Sequence, residues 1–212
     1  MQTETKFPAF AAFLLFALFI LFDVREVYSL SNYVKFAFMC AVFIISVLNR
    51  DIFITLGMML TVVCDYFLLF TRDVVAGVSL FCLVPILYTF YNSEKKLTAA
   101  LILSASLPAI YVLDATVLPD VILFYAVCFI LDIFSAFKYA AGRRPLFCAG
   151  LVLFALCDIC VAFYNLTGSN TAFFFIWVFY APSQFLIAQS PSRQKQPRCK
   201  LRFHRPRRKR PL

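Results

Sequence analysis

Asp65 and Asp158 are the residues of this chain best placed to do chemistry. Each lies deep in an apolar run, with a glycine eight residues before it (Gly57, Gly150) and a phenylalanine five after it (Phe70, Phe163). Placing a charged side chain in hydrocarbon costs at least about 2.5–3.5 kcal/mol, so an acid retained there faces protein or water and is read first as a working residue. The chemistry such a pair offers is proton transfer, with one carboxyl protonated and the other ionised.

The elements that carry these acids follow from composition. Hydrophobic residues make up 63% of the 212-residue chain, mean hydropathy is +0.85, and there are 27 Phe. That is more apolar surface than a soluble core of this size buries, so the expected fold class is all-α, a polytopic membrane bundle. A spanning helix takes roughly 20 mostly apolar residues. Eight such runs are expected, near residues 7–22, 33–49, 52–70, 74–91, 97–113, 118–137, 147–165 and 171–189. They give an eight-span transmembrane domain over 1–190 and a basic, disordered cytoplasmic tail over 191–212. Continuous apolar stretches, without alternation, argue against a barrel. Asp23, Arg25 and Glu26 follow the first run with no small-residue cleavage site, so it reads as a span and not as a secretory leader.

The runs also resemble one another. Gly57-Met-Met-Leu-Thr-Val-Val-Cys-Asp65 matches Gly150-Leu-Val-Leu-Phe-Ala-Leu-Cys-Asp158, and each is followed by a span with a Pro and a Tyr: Pro85 and Tyr88, then Tyr180 and Pro182. Two parallel four-helix repeats would account for this. Both acids would then lie roughly 7–11 Å from the outer ends of their spans at 1.5 Å per residue. Thr61 would share the face of Asp65, and Lys35 lies at a comparable depth, as a counter-charge or as a side chain snorkelling to headgroups.

Basic residues set the orientation. Seventeen of the 20 Lys and Arg fall on one side, ten of them between Arg193 and Arg210, against Arg25, Lys35 and Arg72 on the other. Both termini are expected in the cytoplasm. The +9 net charge therefore reflects topology and attraction to anionic headgroups at about 1 kcal/mol per basic residue, not nucleic-acid binding. Seven of the eight cysteines lie in apolar spans and read as small hydrophobes, Cys157-x-x-Cys160 included. His204 is alone, in the tail, and no motif calls for a metal, nucleotide or flavin cofactor. Asp132, near Lys138, is expected to form an exposed pair, and Asp23, Asp51, Asp73, Asp114 and Asp120 to be solvated. Asn165-Leu166-Thr167 spells a glycosylation sequon close to the membrane.

Taken together, these residues resemble the YhhN-like membrane proteins, the family that includes lysoplasmalogenase. Lys35 stands at the family's second-span Lys, with Phe36 for its Pro. Cys64-Asp65-Tyr66-Phe67-Leu68 takes the place of Gly-Asp-x-x-Leu. Gly77, Phe81 and Tyr88 fit the fourth-span motif, with Pro85 at its His. Gly150, Phe154 and Asp158 fit the seventh, and Tyr180, Gln184, Leu186 and Ile187 the eighth.

The resemblance implies hydrolysis of the vinyl ether of a lysoplasmalogen to a fatty aldehyde and a glycerophospho-alcohol. One Asp protonates the β-carbon; the other steadies the oxocarbenium ion and orients water, as paired carboxyls do in glycoside hydrolysis. Lys35, Tyr88, Tyr180 and Gln184 would contact the lysophospholipid substrate or water. The expected location is a bacterial plasma membrane or a eukaryotic internal membrane. A lipid or small-molecule carrier, and a non-enzymatic lipid-binding protein, remain the alternative classes.

Overall fold

The computed structural model describes residues 6–71, 73–92, 118–139 and 144–190. These residues are helical apart from short turns. In chain order the helices are α1 (Lys6–Val24), α2 (Tyr28–Asn49), α3 (Ile52–Tyr66), α4 (Val74–Phe81), α5 (Leu83–Asn92), α6 (Leu118–Tyr139), α7 (Pro145–Thr167) and α8 (Asn170–Ala188). A π-helical turn, Phe67–Thr71, prolongs α3.

Among the described residues, six helical segments are long and apolar enough to cross a membrane: Lys6–Val24, Tyr28–Asn49, Ile52–Thr71, Val74–Asn92, Pro145–Thr167 and Asn170–Ala188. The expected run at 118–137 is a helix of 22 residues, α6, packed against α4, α5 and α7. The runs expected at 97–113 and the tail 191–212 lie outside the described residues. Large side chains left open on the helix surfaces, among them Phe10, Phe13, Ile130, Phe134, Ile159 and Phe163, are compatible with a lipid-facing exterior.

Short-range chemistry sets the turns. Asp51 caps α3 by accepting from the Phe53 and Ile54 amides, and Asp73 caps α4 by accepting from that of Ala76. Between α7 and α8 two residues suffice. Gly168 ends α7 at φ +66°, where a side chain is strained, and Ser169 starts α8 by accepting from the Ala172 amide. The fourth apolar run is split at Cys82, three residues before Pro85, which has no N–H to give to the Phe81 carbonyl.

Close helix pairing positions the acids. The most extensive pairing is α7 with α8, followed by α1 with α2. At Gly150 a Cβ would come within 2.9 Å of the Ser183 carbonyl and 3.2 Å of the Ile187 amide, so only glycine admits this approach of two backbones. Gly57 makes a different slot: a Cβ there would strike the Tyr88 ring at 2.5 Å. The two matching glycines thus serve unlike contacts.

Candidate functional site

A column of aromatic rings runs through the bundle and supplies a hydroxyl to each of the two sequence-marked acids. From α1 to α6 it passes through Phe19, Trp177, Tyr180, Phe154, Phe129 and Tyr125, with ring centroids 5.0–5.9 Å apart at each step. Phe81 of α4 touches the rings of Tyr180, Phe154 and Tyr125, at 6.5, 5.9 and 6.2 Å.

Asp65 is the second-to-last residue of α3, two positions before the π turn, and is buried at 3% exposure. Tyr180 Oη of α8 lies 2.9 Å from each of its carboxylate oxygens, so a single phenol proton is shared between two acceptors. Asp158 of α7 is half-buried, and its Oδ2 accepts from Tyr125 Oη of α6 at 2.9 Å. Each acid therefore has its own tyrosine, and no hydrogen bond joins the two carboxyls. Tyr180 and Tyr125 both touch the Phe81 ring, so the two acid–tyrosine pairs border one aromatic layer. The two tyrosines come from unlike helices, α8 and α6, so the matching sequence frames do not carry matching partners.

Gln184 lies one helical turn from Tyr180 on the same buried face of α8. Its amide nitrogen reaches Ser183 Oγ at 3.4 Å, and its carbonyl oxygen has no partner among the described residues. Tyr88 is fully buried, with its ring in the Gly57 slot and edge-on to Phe147 at 5.5 Å. Its hydroxyl has no hydrogen-bond partner among the described residues. Gly57 is two turns before Asp65, about 12 Å along α3, so Tyr88 is placed one layer away from the Asp65–Tyr180 pair.

Lys35 is neither snorkelling nor facing the two acids. At 1% exposure it pairs with Asp23 of α1, Nζ to Oδ2 2.8 Å, and Ser31 Oγ donates to the same carboxylate at 2.6 Å. Trp177, Phe173 and Phe19 present their rings to the ammonium at 5.0–5.9 Å. Asp23, expected in solvent, is thus an internal ion-pair partner, because the turn at Arg25–Val27 folds α1 back along α2.

Two other acids depart from expectation. Asp51 is buried as the α3 cap. Asp132 is fully buried, accepting from Asn92 Nδ2 at 3.2 Å and Thr89 Oγ1 at 3.4 Å on its Oδ1. Lys138 is six positions on, about 240° around the helix, and lies over the Phe134 ring instead. Asp73 is exposed, as expected, and Asp114 and Asp120 fall where no side chain is described.

The seven cysteines of the described helices are free thiols, buried or half-buried. Surface depressions lie elsewhere: one between α6 and α7 at Phe137, Cys148 and Val152, another at the α1–α2 turn, lined by Asp23, Glu26, Tyr28 and Phe173. The fold and site define an all-helical chain whose spanning-length helices bury carboxyls against tyrosines. No protein-family model, curated protein or solved structure matches it.

Proposed function

We propose that this chain is a multi-pass membrane hydrolase of the lysoplasmalogenase kind, cleaving the vinyl ether of a lysoplasmalogen with Asp65 and Asp158. The observation that carries the reading is the pair of acids on α3 and α7, each held by a tyrosine hydroxyl at 2.9 Å beside one shared layer of aromatic rings.

In this reading a protonated Asp delivers its proton to the β-carbon of the vinyl ether, and the positive charge moves to the α-carbon and ether oxygen. The ionised Asp opposes that charge and accepts a proton from water as the water oxygen bonds to the α-carbon. The hemiacetal formed then breaks its bond to the glycerol oxygen, which takes up a proton and leaves as the glycerophospho-alcohol, with a fatty aldehyde as the other product. One water is consumed. Tyr180 and Tyr125 hold the carboxyls in orientation. The unpartnered Gln184 carbonyl, a turn from Tyr180, offers an acceptor for water or for a glycerol hydroxyl. Lys35, neutralised by Asp23, acts as a fixed post between α1 and α2 and not as a free phosphate ligand.

A second reading, a lipid or small-molecule carrier, draws on the interruption of the fourth run at Cys82, since transporters place their sites at discontinuous helices. Aldehyde release from a lysoplasmalogen by the purified chain in detergent separates the two. Product lost with Asp65→Asn and Asp158→Asn supports hydrolysis; uptake into proteoliposomes without product supports the carrier, and binding with neither supports a lipid-binding protein. In either case the distribution of Lys and Arg supports cytoplasmic termini, with the basic tail drawn to anionic lipid.

A further inference from the structure

The most anomalous polar group in the bundle belongs to neither acid used above. Asp132 of α6 is 0% exposed, and both of its hydrogen bonds fall on one oxygen, from Asn92 Nδ2 and Thr89 Oγ1 of α5. Its Oδ2 has no partner among the described residues. Asn92 Oδ1 and Tyr88 Oη, at 5% and 0% residue exposure, are also without one. Asn92 is tied to Asp132 through its own amide nitrogen, and Tyr88 stands one helical turn before Asn92 on the same buried side of α5. Three buried oxygens with unspent lone pairs thus belong to residues along the contact of α5 with α6.

Leaving such atoms bare is unfavourable, and more so for a charged one, so native bundles fill or pair them. Among the described residues no ion pair reaches Asp132. Lys35 is bound to Asp23, and Arg144 is engaged by Tyr91, donating to its carbonyl at 2.6 Å with the guanidinium 4.0 Å from its ring. One carboxylate among neutral oxygens matches a single positive charge. A divalent ion would call for further acids, and no group of three His, Cys, Asp or Glu is gathered among the described residues.

We propose that Asp132, Asn92 and Tyr88 form a binding site for a monovalent alkali cation, of which Na+ is the probe. Asp132 Oδ2 supplies the charge, and Asn92 Oδ1 and Tyr88 Oη supply neutral oxygen ligands. The site joins α5 to α6, so occupation locks the half-run after Cys82 against its neighbour. It is independent of the hydrolase reading, since it uses neither Asp65 nor Asp158.

The test is the thermal unfolding of the full chain in detergent, followed by the fluorescence of its single tryptophan, in NaCl against choline chloride at equal ionic strength. The site predicts a saturable rise in Tm with Na+, roughly 2–4 °C once Na+ is five-fold above its Kd. Asp132→Asn removes that rise, Tyr88→Phe shifts its midpoint to higher Na+, and Asp65→Asn leaves it intact. Should Asp132→Asn not fold, equilibrium binding of radioactive Na+ to the unaltered chain decides, with one ion per chain expected. A Tm that is the same in Na+ and choline, a Tm that moves with pH alone, or an Asp132→Asn protein with the full Na+ response would each overturn the site.

Discussion

Tyr180 and Asp65 are 115 residues apart in the chain, yet the phenol of one bisects the carboxylate of the other, 2.9 Å from both oxygens. One donor is then divided between two acceptors, so the carboxylate keeps unspent accepting capacity on each oxygen. The pairing fixes where Asp65 points without saturating it, as a group that must exchange a proton with substrate requires.

Removing that phenol tests the arrangement. Tyr180→Phe keeps the ring in its contacts with Trp177 and Phe154 but frees the carboxylate to rotate. On the hydrolase reading, kcat for aldehyde release falls roughly 10- to 100-fold, since a misplacement of about 1 Å costs rates of that order. Tyr125→Phe does the same through Asp158. Product assays alongside melting curves separate lost orientation from lost fold.

The Lys35–Asp23 pair is a structural prediction. Lys35→Met alone leaves a buried carboxylate without its counter-ion and should cost about 3–5 kcal/mol, read as a large drop in Tm. Lys35→Met combined with Asp23→Leu removes both charges and should recover most of that loss. A single variant as stable as the parent would show that the pair is not buried as described.

Gly150 tests the helix crossing. Gly150→Ala puts a methyl 2.9 Å from the Ser183 carbonyl and 3.2 Å from the Ile187 amide, and backbone cannot swing aside. Overpacking of this kind costs about 1–3 kcal/mol. Asp158 and Tyr180 ride on these two helices, so activity should fall with stability. At Gly168 a methyl meets nothing within 4 Å, and only the left-handed backbone at φ +66° resists it. Gly168→Ala should therefore cost about 1 kcal/mol and spare activity, as activity and melting measurements on both variants would show.

Much of this was legible in the sequence. Seven of the eight apolar runs fall on described helices, the fourth of them broken at Cys82, because hydrocarbon length fixes how many residues a span needs; the run at 97–113 lies outside the described residues. The frames around Asp65 and Asp158 marked the acids, and the Tyr180-to-Ile187 segment marked the helix that holds one of them. Tyr125 was not legible. It is an aromatic residue in an apolar run, and its partner lies 33 positions away with no local pattern to link them. Asp132 and Asp23 were misplaced for a related reason. Proximity in sequence suggested Lys138 and solvent, whereas helix rotation and the α1–α2 turn decided their neighbours. The split at Cys82 follows from Pro85, but a single proline in an apolar run does not say whether the helix bends or stops.

The most direct test of the central claim is aldehyde release from a lysoplasmalogen by the purified chain, compared with its Asp65→Asn and Asp158→Asn variants at matched folded concentration. The account predicts product from the parent and a loss of about 10²- to 10⁴-fold in each variant, the contribution expected of a positioned acid or base. A parent that releases no aldehyde, or variants that release it at the parent's rate, would contradict it.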